Sequence, residues 1–164
     1  MYLCEKKHYL YSLMKHPYFK TILLCLCLFA SINAFAETVE IDGIYYNLVT
    51  KIKEAEVTSN PNKYIGTVNI PETVTYNGVT YSVTSIGDKA FYDCYRLTSV
   101  AIPNSVTNIG SAAFYNCSHL ASLSIPNSVT AIGSHAFTYC SSLLSITIPN
   151  YVTCIRKSTF YGCY

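Results

Sequence analysis

Apolar and polar positions in the second half of this chain fall into rows of 23 residues. Residues 97–119 read LTSVAIPNSVTNIGSAAFYNCSH, and residues 120–142 read LASLSIPNSVTAIGSHAFTYCSS. Residues 143–164 follow the same pattern one residue short. The first two rows agree at 15 of 23 positions, which makes the internal repeat the dominant signal in the chain. Each row opens Leu-x-x-apolar-x-Ile, an alternation that predicts a short strand with one face inward. Proline then ends the strand, because it has no N–H for the next ladder bond. Asparagine suits the turn that follows. The stretch SVTNI alternates again and predicts a second short strand, Gly110 permits a tight bend, and SAAFYNC predicts one helical turn.

Written in rows, the apolar residues form columns. Leu97, Leu120 and Leu143 stand in register, as do Ile86, Ile109, Ile132 and Ile155. Phe91, Phe114, Phe137 and Phe160 form an aromatic column, and Cys94, Cys117, Cys140 and Cys163 form another. No single row can bury its own apolar face. Stacking rows about 4.8 Å apart buries all the columns at once, and each buried Phe is worth roughly 1.5–3 kcal/mol.

Upstream the pattern stretches. Pro71 stands 32 residues before Pro103, so about nine extra residues lie near 72–82. They include Asn77-Gly78 between β-branched residues, a strong hairpin signal. Residues 37–67 do not repeat. VEIDGIYYNLV predicts two strands about Asp42-Gly43, AEVTS a third, and Ser59–Asn62 a turn. A solenoid needs an end piece over its first rung, and this segment is read as that non-repeat β N-terminal cap. The predicted fold is therefore mainly β: a leucine-rich-repeat solenoid over residues 68–164, with short helical turns on its convex side.

The row IPNSVTxIGxxAFxxCxxL resembles the BspA-like leucine-rich repeat of bacterial surface proteins over Val68–Tyr164. The lead-ins EIDGIYYNL and IPETVTYNGVTYSVTSIG are similar to those of the same family. The resemblance implies a secreted or surface-displayed protein, with adhesion to host matrix or to other cells. Family members usually carry more rows and a C-terminal anchoring segment, whereas this sequence stops mid-row at Cys163-Tyr164. Two rival readings stay open: a truncated remnant or structural spacer with no ligand, and the N-terminal repeat domain of a longer protein.

Composition changes the picture at the N-terminus. Lys15, His16 and Lys20 precede the apolar run TILLCLCLFA, and Ala34-Phe35-Ala36 fits the small-x-small cleavage pattern. Residues 1–36 are read as a signal peptide cleaved after Ala36, with an uncleaved anchor as the rival. The run is shorter than the ~20 residues of a membrane span, so membrane contact is expected only through the signal sequence. Cys25 and Cys27 each follow leucine, which argues against lipidation. From Glu37 onward seven Lys and Arg face eight Asp and Glu, and a near-neutral chain has no electrostatic footprint for nucleic acid.

Five cysteines follow the leader. In an exported chain they invite a disulfide reading, but four recur at the row period and read as small buried residues with free thiols. Cys154 lies between two inward positions and is expected to face solvent. The Cys spacing gives no zinc pattern, His119 and His135 sit at variable positions, and no catalytic motif is present, so neither a cofactor nor an enzymatic activity is expected. What remains is a surface. Ser99 and Ala101, Ser122 and Ser124, and Ser145 and Thr147 alternate with the core residues and predict a flat, hydroxyl-rich strip for a protein or glycan ligand. The tyrosines that follow the Phe column either add contact surface or shield the convex side. The unpaired edge of the last row predicts self-association or fraying there.

Overall fold

Alternation builds the cap first. β1 (Glu37–Ile41) and β2 (Ile44–Val49) pair antiparallel about Asp42-Gly43, whose φ values of 51° and 80° are those of a two-residue hairpin turn. Ile44, Tyr46 and Leu48 of β2 point inward, and β3 (Glu54–Val57) joins antiparallel, burying Ala55 and Val57. The computed structural model describes residues 37–164. The expected leader and its cleavage site lie outside them.

From β3 the cap continues into the repeats. β4 (Gly66–Asn69) starts a new sheet, and β5 (Thr73–Tyr76) and β6 (Val79–Ile86) form a hairpin about Asn77-Gly78 at φ 50° and 76°. β6 pairs in parallel with β3 on one side and, at Ser85-Ile86, with β8 (Asn108–Ile109) on the other. β10 (Ala131–Ile132) pairs with β8, 23 residues further on. The second sheet runs β4–β7–β9, all parallel, with β7 at Leu97–Ala101 and β9 at Ser122–Ser124. Gly66–Asn69, ahead of the hairpin insert, thus occupies a rung of the same ladder as the regular rows.

The columns form one core. Leu97, Leu120, Ile86, Ile109, Ile132, Phe91, Phe114 and Phe137 are buried. The Phe rings stack nearly parallel, with centroids 4.9, 5.4 and 5.5 Å apart down to Phe160. The buried Tyr64 ring tilts over Phe91 at 4.7 Å and closes the column at the cap.

The expected short helical turns are not there. Residues 88–93 and their counterparts in later rows are successive turns, and each stretch contains two residues at positive φ: Lys89 and Asp93, Ala112 and Asn116, His135 and Tyr139, Ser158 and Gly162. Left-handed residues at those positions stop a helix from propagating. The N–H groups alternate instead. Those of Ala90, Tyr92 and Cys94 close four-residue turns, and those of Lys89, Phe91 and Asp93 donate to Ser111, Ala113 and Tyr115 of the next row. Later rows repeat this, so the turn side is a third inter-row ladder.

The last row breaks from the pattern. No strand is assigned over residues 133–164, and Ile155 is 47% exposed although it belongs to the buried Ile86–Ile109–Ile132 column. A glycine column explains one corner. A Cβ on Gly110 would lie 2.6 Å from the Asp88 nitrogen, and one on Gly133 would lie 2.4 Å from the Ser111 nitrogen, both backbone contacts to the preceding row. Arg156 occupies this position in the last row, and its Cβ does not fit that approach. The inter-row bonds of Thr130 to Thr107 and of Gly133 to Ile109 have no counterpart at Thr153 and Arg156. The last row is held through the turn ladder, by the His135, Phe137 and Tyr139 N–H groups donating to Lys157, Thr159 and Tyr161.

Candidate ligand-binding face

The open face of the β4–β7–β9 sheet carries the side chains that alternate with the core. In β7 these are Ser99 and Ala101, with Val100 buried between them. In β9 they are Ser122 and Ser124, about the buried Leu123. Parallel register sets Ser99 beside Ser122 and Ala101 beside Ser124. β4 extends both lines, with Thr67 beside Ser99 and Asn69 beside Ala101, each exposed about the buried Val68. Sequence reasoning missed Thr67 and Asn69 because the insert hid the row. The signal was present: they precede Pro71 by the same offsets at which Ser99 and Ala101 precede Pro103.

Ser145 and Thr147 do not join the strip. Both are exposed, but residues 144–149 form no strand on β9.

A cleft of about 390 Å3 opens at the cap end of the strip, where Asp42 of the β1–β2 turn meets Asn60, Lys63, Thr67 and Asn69 over a floor of Ile44 and Val68. The Lys63 ammonium is engaged elsewhere, donating to the Tyr92 carbonyl at 3.0 Å. Tyr64 at the base is 3% exposed. Its hydroxyl accepts from the Tyr45 N–H at 2.9 Å and donates to the Thr58 carbonyl at 2.8 Å, and burial pushes its pKa up to about 12.

The cysteine column is internal. Cys94, Cys117 and Cys140 are buried free thiols and Cys163 is partly buried. The Cys117, Cys140 and Cys163 thiols each donate at 3.1 Å to a Phe carbonyl of the preceding row: Phe91, Phe114 and Phe137. Burial raises the pKa of Cys94 and Cys163. Contact with the Cys140 sulfur, together with burial, raises that of Cys117. Cys154 is exposed. Among the described residues no group of three or more His, Cys, Asp or Glu side chains is placed to hold a metal ion.

On the turn side Tyr92 and Tyr115 stack at 4.8 Å. Tyr139 continues the line edge-on to Tyr115 and Tyr161, at 5.6 and 5.5 Å. The register slips here by one residue. Thr138 takes the place that follows Phe137, is 2% exposed, and donates to the Ser158 carbonyl, so Tyr139 reaches the line from the next position.

The family model for the BspA type leucine rich repeat region matches residues 73–164, in six copies. Solved structures agree. A leucine-rich repeat protein from Bacteroides ovatus is 39% identical with a TM-score of 0.70, over 76% of this chain and 33% of its own length. One from Bacteroides capillosus is 31% identical with a TM-score of 0.64, over 70% of this chain and 84% of its own. A leucine rich cell surface protein from Faecalibacterium prausnitzii is 31% identical with a TM-score of 0.61, over 78% of this chain and 41% of its own. The chain therefore spans about a third of the Bacteroides ovatus protein. No curated protein matches it. The row pattern, the stacked parallel ladders and these matches agree that the chain belongs to the BspA-type leucine-rich-repeat family.

Proposed function

We propose that the chain is a secreted or cell-surface interaction module. It binds a protein or glycan through the open face of the β4–β7–β9 sheet, in the service of adhesion to host matrix or to other cells. The observation that carries this reading is the register of Thr67, Ser99 and Ser122 beside Asn69, Ala101 and Ser124. Six small side chains on parallel rungs leave a flat surface that a partner can approach closely, and stacked repeats commonly use such extended faces for binding. The face holds hydroxyls, one amide and one methyl but no titratable group, which suits contact and not proton transfer, so the module is read as non-enzymatic. Surface placement draws support from the cell-surface protein among its structural relatives.

The test is a binding screen of the purified chain against immobilised matrix proteins and glycans, repeated with Ser122→Arg. A ligand retained by the wild type and lost by the variant supports the face. A ligand bound equally by both places recognition elsewhere.

A further inference from the structure

Charge along the described chain is segregated. Residues 37–72 hold Lys51, Lys53 and Lys63 against six carboxylates, whereas residues 73–164 hold Lys89, Arg96, Arg156 and Lys157 against Asp88 and Asp93 alone. Three of the basic residues gather where the cap meets the first rows. The Lys63 ammonium stands 6.0 Å from the centre of the Tyr92 ring, and that of Lys89 stands 5.8 Å from the same ring. Lys63 and Arg96 line one cleft of about 110 Å3 with Tyr95 and Cys94. All three cationic side chains are exposed. The nearby carboxylates keep their charge but bond to the next row: Asp88 accepts from the Ser111 N–H, and Asp93 accepts from the Asn116 side-chain amide.

We propose that Lys63 and Lys89 over the Tyr92 ring, with Arg96 beside Lys63 in the adjoining cleft, form a docking site for a sulfated polysaccharide, separate from the sheet face. The cations supply charge complementarity for closely spaced anionic groups. A chain bearing several sulfates per few sugars can meet three neighbouring cations at once, whereas a polysaccharide with sparse carboxylates cannot. Nucleic acid fits less well, because single strands bind through bases stacked on open aromatic faces. Here Tyr92 and Tyr115 cover one another at 4.8 Å with an interplanar angle of 7°, and the Tyr92 ring is flanked by ammonium groups.

The experiment measures retention of the full chain on immobilised dextran sulfate against neutral dextran. Wild type binds the sulfated resin alone and is released by salt, which screens exposed charges. The triple variant Lys63→Gln, Lys89→Gln, Arg96→Gln weakens binding by about tenfold or more, as expected from losing three exposed charge contacts. The control Arg156→Gln, Lys157→Gln changes it less than about twofold, because those residues lie outside the patch. If the triple variant misfolds by circular dichroism, lysine acetylation of the wild type decides instead: dextran sulfate shields Lys63 and Lys89 but not Lys51 and Lys53. The proposal is overturned if wild type is not retained, if the control loses as much as the triple variant, if shielding is uniform, or if polygalacturonate or a single-stranded oligonucleotide competes as well as dextran sulfate.

Discussion

At the scale of single residues, the columns concentrate energy in a few side chains. Phe114 is fully buried between Phe91 and Phe137, so truncation leaves a cavity with a broken stack on both sides. Phe114→Ala is expected to cost about 3–5 kcal/mol in urea unfolding. Phe160, half-buried and stacked on one side, is expected to cost less. The thiols divide the same way. Cys94, Cys117, Cys140 and Cys163 are at least partly buried, and three of them donate to Phe carbonyls, whereas Cys154 is open to reagent. For the chain from Glu37 onward, titration with a thiol reagent should find one fast group when folded and five when denatured without reductant. Two or fewer after denaturation would mean that the column is bridged. Tyr64 adds a pH dependence. Its pKa of about 12 in the fold lies above the ordinary value of 10, so the folded state favours the neutral phenol. Its contribution is fully present below pH 10 and is lost as the pH rises from 10 through 12. An alkaline unfolding series should show stability falling over that window. A flat profile there would count against a structural role for Tyr64.

At the scale of elements, the row period carried the mainly β solenoid plainly, because the same inward columns recur at each strand and an Asn-Gly pair carries the positive φ its hairpin turn demands. The turn side was not legible in the same way. SAAFYNC has an ordinary helical composition, and the left-handed positions hold residues as different as Lys89, Ala112 and His135. Only the second of the two positions hinted at the answer, since Asp93, Asn116 and Gly162 are types that tolerate positive φ. The first β4 rung was hidden by an insertion. Arg156 departs from the glycine column in the last row, and that departure gains meaning only from the close approach seen at Gly110 and Gly133. That approach predicts opposite outcomes at two positions. Gly110→Ala meets backbone that cannot yield and should destabilise by roughly 1–3 kcal/mol. Arg156→Gly should let the last row close, so that hydrogen exchange slows at the amides of Thr153 and residue 156, which would gain the bonds that Thr130 and Gly133 make one row earlier. Unchanged exchange would mean that the glycine column does not set the break.

At the scale of the whole molecule, the stacked rows give the chain faces of different chemistry. The β4–β7–β9 sheet presents small uncharged groups, the turn side presents a line of tyrosines with basic residues at its cap end, and the cap carries most of the acid. A partner on the sheet face would therefore be recognised by shape and hydrogen bonding. The break at Arg156 sharpens the test of that face, because residues that look equivalent in sequence differ in the fold. Ser122 and Ser145 hold the same place in consecutive rows, yet Ser122 lies in the sheet beside Ser99 while Ser145 lies off it. Both are exposed, so Ser122→Arg and Ser145→Arg should each change folding stability by no more than about 0.5 kcal/mol. Binding should separate them. An arginine at Ser122 projects into the middle of the flat strip and should weaken a ligand held there at least about tenfold, the equivalent of 1.4 kcal/mol. An arginine at Ser145 should leave it within about twofold. Equal losses would show that the ligand spans the last row in its closed form, and equal indifference would remove the strip from recognition altogether.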